Sequence, residues 1–102
     1  MPCASWRAIA NGLRTGFGDE WIRFGATREH IVDGLFSERT MALSTPCTRT
    51  TYKGNVTETQ EELDAWVEKV HRAGIQVNCH ANGDVAIDMY LTALVRRIKA
   101  LD

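Results

Sequence analysis

The sequence predicts an α/β fold of about two βα units, a parallel strand pair with flanking helices. Three observations carry this. The run Ile75-Gln76-Val77-Asn78-Cys79 is short, apolar and bounded by Gly74, as a buried strand is. Segments on either side of it repeat apolar residues at helical spacing. The order strand, long loop, helix, strand, helix is that of units joined by right-handed crossovers. At 102 residues the chain is one domain at most, well short of the roughly 250 residues of a closed eight-unit barrel.

Trp6 to Leu13 is weakly helical and stops at Gly12, and the glycine-rich segment to Asp19 reads as loop. Trp21-Ile22-Arg23-Phe24 alternates like a short strand that Gly25 ends. Arg28-Glu29-His30-Ile31-Val32 is the next strand, stopped by the turn pair Asp33-Gly34. From Leu35 to Val56 the chain is rich in Ser, Thr, Pro and Gly, a length of loop usually functional or mobile. Thr57 with Gln60 and Thr59 with Glu62 form overlapping capping boxes. They open a helix over Glu58 to Ala73 with Leu63, Trp66, Val67 and Val70 on one face. Gly74 stands at its C-terminal stop position. After the strand Ile75 to Cys79, Asp84 is placed to cap a helix running to Ala100. Its stripe is Ile87, Tyr90, Leu91, Leu94, Ile98 and Leu101, with Arg96, Arg97 and Lys99 near the negative end.

Apolar content of 44% and charged content of 25% are those of a soluble globular protein. A formal charge of -1 with interleaved signs gives no reason to expect nucleic acid or an anionic membrane as partner. No apolar run approaches a membrane span, and the N-terminus lacks the apolar core of a secretion signal. Cys3, Cys47 and Cys79 have no short metal-binding spacing and are odd in number, which fits free thiols in a reducing cytoplasm. Cys79, inside the strand, reads as a small core residue.

Five side chains are candidates for chemistry. His80 ends a strand, where parallel α/β folds collect metal ligands, and imidazole is the commonest protein ligand for zinc. The alternative is a histidine that hydrogen-bonds within its loop. Glu29 either faces solvent or is paired, because an unpaired buried charge is very costly. His30 points to the other face of the strand, so regular geometry keeps it out of a site lined by Glu29. Asp33 and Asp84 read as outer-shell carboxylates or substrate contacts, or simply as a turn residue and an N-cap. Arg39 could hold a substrate anion or be solvated loop charge. His71 complements the dipole of its helix, and Trp66 belongs to the core.

Ile31 to Leu43 (I-V-D-G-L-F-S-E-R-T-M-A-L), the capped helix, then Val77 to Ile87 (V-N-C-H-A-N-G-D-V-A-I) together resemble the amidohydrolase superfamily. The closest match is its third-type branch of metal-dependent amide and N-acyl hydrolases. That branch carries a D-G-S segment leading into S-R-T-A-x-L and, after a helix, H-A-x-G-D-x-A. The resemblance covers about Leu13 to Leu101, and both motifs stand in the right order. It implies a fragment of a TIM-like (β/α)8 barrel, a single partial domain over residues 1–102.

The resemblance also implies roles. His80 becomes the metal-ligating histidine of the fifth barrel strand. Glu29 falls where the family has a metal-bridging carboxylated lysine or, in some members, a glutamate, and a glutamate bridges cations without carbon dioxide. Asp33, Arg39 and Asp84 become substrate or outer-shell groups. Leu35 departs from the family's serine, and Cys47 from a common aromatic. The family's H-x-H pair, sixth-strand histidine and eighth-strand aspartate have no counterpart, so the chain reads as an internal slice of the barrel. The expected function is that of part of a metal-dependent hydrolase, with one or two divalent metals, zinc first, acting on a small amide and inactive alone. The rival expectation is a non-catalytic α/β module that self-associates through exposed sheet edges and helix faces.

Overall fold

Parallel pairing joins β1 (His30–Ile31) to β2 (Cys79–His80), with His30 opposite Cys79 and Ile31 opposite His80. The computed structural model that reveals this describes residues 7–27, 29–35, 40–46 and 53–101. Arg39, Cys3 and Cys47 lie outside the described residues. Beyond the regular strands the ladder continues: Thr27, His30 and Val32 donate their N–H groups to the carbonyls of Gln76, Asn78 and His80 at 2.9, 2.9 and 3.0 Å. A step of three residues from Thr27 to His30 is matched by a step of two from Gln76 to Asn78, so the pairing slips by one residue there. Asn78 N–H is left to find another acceptor and takes Thr27 Oγ1 at 3.0 Å. The expected strand over Ile75 to Cys79 therefore shifts forward and includes His80.

The expected strand over Trp21 to Phe24 is not one. Asp19 Oδ1 accepts the N–H groups of Trp21 and Ile22 at 2.8 and 3.0 Å, which reverses the chain there. Phe24 N–H then donates back to the Phe17 carbonyl at 2.7 Å, and Gly18 pairs with Arg23 in antiparallel fashion. The segment closes on itself and leaves Trp21 and Ile22 to solvent.

α1 (Gln60–Arg72) starts where Thr59 Oγ1 accepts the N–H of Glu62 at 3.2 Å. Of the two overlapping boxes, only that of Thr59 acts as a cap. Thr57 is drawn into the sheet instead, its N–H donating to the Val32 carbonyl and its hydroxyl to the Ile31 carbonyl. Gly74, at φ 80°, ends the helix in the left-handed conformation that favours glycine. Leu63, Trp66, Val67 and Val70 are buried, as their spacing predicts, and meet Val32 and Ile75 of the sheet layer.

α2 (Asp84–Ala100) departs from expectation twice. Its N-cap is Gly83 rather than Asp84, which is the first helical residue. Its buried residues are Ala86 and Ala93, with Val85, Met89 and Leu94 partly covered. Small side chains let α2 approach α1 closely, and polar ties fix the contact: Gln60 Nε2 to the Met89 carbonyl at 3.0 Å and Arg96 to Asp64 at 2.5 Å. Of the expected stripe, Ile87, Leu91, Ile98 and Leu101 face outward, as does Val95, each 43–62% exposed, while Tyr90 and Leu94 are partly covered.

Met41 and Ala42, in the long loop, are buried against this core. Gly54, at φ 78°, lets the backbone fold onto them, since a Cβ there would lie 1.7 Å from the Met41 carbonyl oxygen. Part of the loop is therefore structural.

Candidate functional site

Register pairing puts Ile31 beside His80, and strand alternation gives Glu29 and His80 the same sheet face. Glu29 Oε1 lies 3.0 Å from His80 Nδ1. The other ring nitrogen, Nε2, lies 2.9 Å from the Gly34 carbonyl oxygen. Both neighbours are acceptors, so the ring satisfies them best as an imidazolium that donates from each nitrogen. The Gly34 carbonyl raises the His80 pKa above its ordinary value; burial opposes it, and the Glu29 carboxylate and the charge of Asp33 add to the rise.

Asp33 is 1% exposed and more than a turn residue. Its Oδ2 accepts the N–H groups of Ala42 and Gly83, each at 2.8 Å, and its Oδ1 accepts that of Asn82 at 2.9 Å. Asn82 Nδ2 donates to the Gly34 carbonyl at 3.1 Å. Glycine is required at Gly83 by approach rather than by φ: a Cβ there would lie 1.9 Å from the Ala42 carbonyl oxygen.

Asp84 sits at the rim, where it accepts the Ser44 N–H at 3.0 Å and the Ser44 hydroxyl at 2.5 Å. Those hydrogen bonds lower its pKa. His80, Asp33 and Asp84 thus lie at the end of the sheet from which the two strands' loops leave, and Glu29, just before β1, reaches His80 through its side chain.

The other face carries residues that sequence reasoning left without a role. His30 stacks on Trp66 with centroids 4.0 Å apart and pairs with Glu58 at 2.5 Å. The period-two alternation places His30 on this face, but nothing in the local sequence pairs it with Glu58. Cys79 is half-buried beside Tyr90, and burial pushes the thiol up to about 12, as it does the phenol. A thiol so far from ionisation is packing, not a nucleophile. His71 Nδ1 accepts from Arg97 Nε at 3.1 Å, which ties α1 to α2.

The chemistry of the donors decides what this site can hold. A carboxylate and an imidazole are hard and borderline ligands of the kind divalent ions take. Among the described residues no group of three His, Cys, Asp or Glu side chains converges to hold an ion. A tetrahedral protein site takes three or four ligands. Glu29 and His80 therefore fit a metal as part of a ligand set.

Comparison with known proteins identifies the family of the chain. A family model described as the amidohydrolase family matches residues 4–101. No curated protein matches the chain. The crystal structure of an uncharacterized metal-dependent hydrolase from Pyrococcus horikoshii OT3 is similar, at 28% identity and a TM-score of 0.82, over 93% of this chain and 20% of that one. A second metal-dependent hydrolase, from Pyrococcus furiosus, is similar at 28% identity and a TM-score of 0.80, over 94% of this chain and 20% of that one. The chain spans about a fifth of the length of the solved structures it matches.

Proposed function

This chain belongs to the amidohydrolase family, and from that premise we propose that it forms part of a metal-dependent hydrolase of small amides and N-acyl compounds. The observation that carries this reading is the juxtaposition of Glu29 Oε1 and His80 Nδ1, 3.0 Å apart, with His80 at the C-terminal end of β2 and Glu29 just before β1 on the neighbouring strand. Glu29 and His80 would hold a divalent ion, the carboxylate by one or both oxygens and the imidazole through Nδ1. The Gly34 carbonyl keeps the proton on Nε2, which leaves the Nδ1 lone pair for the ion. When bound, zinc or a related ion supplies Lewis acidity to a scissile carbonyl and to water. Asp84 at the rim, and Arg39 from the sequence between Leu35 and Thr40, are the groups proposed to meet the substrate.

Two donors hold an ion weakly, so turnover of an N-acyl substrate by this chain alone is expected to stay at the level of free metal. The cytoplasm is the compartment that best suits the free thiol of Cys79. Cobalt(II) titrated into the purified full chain tests the site. Weak, saturable binding with a visible absorption band is expected, and it should vanish in both Glu29→Gln and His80→Ala. Equal binding by the wild type and both variants would overturn the reading.

One observation favours a second reading. The solvent-facing stripe of α2 is an apolar helix face of the kind that pairs with another helix. In that reading two copies of the chain cover each other's α2, and the module associates without catalysis.

A further inference from the structure

We infer that Asp33 is a positioning residue for His80, acting through the backbone it gathers rather than through contact with substrate. The inference rests, for its functional meaning, on the reading of His80 as a metal ligand. Its physical content stands on the geometry alone.

One carboxylate takes three backbone N–H groups from two separate segments, Ala42 in the long loop and Asn82 and Gly83 in the turn after β2. Two links run from this carboxylate to His80. Gly34, next to Asp33 in the chain, offers the carbonyl that takes His80 Nε2 at 2.9 Å. Asn82, held by its N–H to Asp33 Oδ1, donates its side-chain amide to that same carbonyl at 3.1 Å and lies 3.2 Å from His80 Nε2. The Gly34 carbonyl is thus fixed from two directions, and the ring has one orientation that satisfies it. In that orientation Nδ1 is aimed at Glu29.

The glycines of the two motifs follow from the same packing. A Cβ at Gly34 would lie 1.9 Å from Thr40 Oγ1, and one at Gly83 would lie 1.9 Å from the Ala42 carbonyl oxygen. The backbone must come this close for one buried carboxylate to reach all three donors. Asparagine in place of Asp33 has the same shape but one acceptor oxygen fewer, and turns an N–H donor toward another donor.

The test reads the ring of His80 in the metal-free full chain, labelled with nitrogen-15. In Asp33→Asn the His80 Nε2–H is expected to exchange with solvent about tenfold faster or more, the loss that follows a buried acceptor's removal. The His80 ring signals should shift while those of His30 stay. Val67→Ala weakens the core without touching the carboxylate, and it should leave the His80 ring signals in place. An unchanged His80 ring in Asp33→Asn, or an equal change in Val67→Ala, would overturn the inference. Should Asp33→Asn fail to fold, the wild type decides: the amides of Ala42, Asn82 and Gly83 and the His80 Nε2–H should share one protection factor. A ring proton that exchanges independently of those amides overturns it. Because no metal enters this readout, failed cobalt binding would sink the ligand reading and leave the positioning role standing.

Discussion

His80 lies between two acceptors, and that fixes its pH behaviour. The Gly34 carbonyl and the Glu29 carboxylate raise its pKa when the chain is folded. The charged ring is therefore favoured more in the folded than in the unfolded chain. Its stabilising effect is complete below the unfolded value of about 6.5 and is lost as pH rises through the raised folded value. Nuclear magnetic resonance titration of the metal-free chain should give His80 a midpoint above about 6.5. Glu29→Gln should move that midpoint down, because the carboxylate that favours the imidazolium is gone. A midpoint that ignores the Glu29 change would show that the two side chains do not meet in solution. Metal competes for the same Nδ1, so cobalt binding should weaken as pH falls and the ring protonates.

The elements obey local chemistry at their ends and tertiary packing on their faces. Thr59 caps α1, so Thr59→Ala should cost about 1 kcal/mol in chemical denaturation. Thr57→Ala should act differently, because its hydroxyl donates to the Ile31 carbonyl rather than to the helix. Its loss is expected to be about 0.5–1.5 kcal/mol, with greater hydrogen exchange at the end of β1 and none added at the start of α1. Gly83→Ala meets backbone rather than a flexible side chain, with the Ala42 carbonyl oxygen 1.9 Å from the new Cβ. It should destabilise the chain by about 1–3 kcal/mol or more, the range of overpacking, although alanine's φ preference suits the site. The expected Asp84 cap was legible as an acidic residue in a first turn. Its true partner, Ser44, lies 40 residues away and no local pattern could name it.

Across the whole molecule, coverage and exposure point the same way. The chain matches about a fifth of each hydrolase structure, and α2 presents Ile87, Leu91, Val95, Ile98 and Leu101 to solvent. Each large apolar side chain left uncovered forgoes roughly 1.5–3 kcal/mol of burial, against a domain stability of about 5–15 kcal/mol. The purified chain is therefore expected to self-associate as its concentration rises. Light scattering should show a mass that falls toward the monomer in Leu91→Glu and in Ile98→Glu, with helix content kept. A wild-type chain that stays monodisperse and monomeric at every concentration would count against the second reading. The charge pattern of α2 bears on orientation: Asp84 and Asp88 lie at its start, and Arg96, Arg97 and Lys99 near its end. Two copies paired antiparallel bring opposite signs together, and a symmetric dimer with its axis across the helices requires that direction.

The sequence determined the βα order, the stop at Gly74 and the buried face of α1, and its family resemblance implied the parallel pairing and the neighbourhood of Glu29 and His80. The first three follow from periodicity and capping, which act within a few residues, and the last two from the resemblance that the two ordered motifs carry. Tertiary structure decided the rest. Ala86 and Ala93 are the buried residues of α2 while Ile87, Leu91, Ile98 and Leu101 of the expected stripe stay exposed, because helix packing rewards close approach as well as hydrophobicity. The Trp21 to Phe24 segment left the sheet because Asp19 offered its backbone a nearer partner. Asp33 became the centre of the loops because a buried carboxylate must find its donors, and the nearest three came from Ala42, Asn82 and Gly83, distant in sequence and adjacent only after folding.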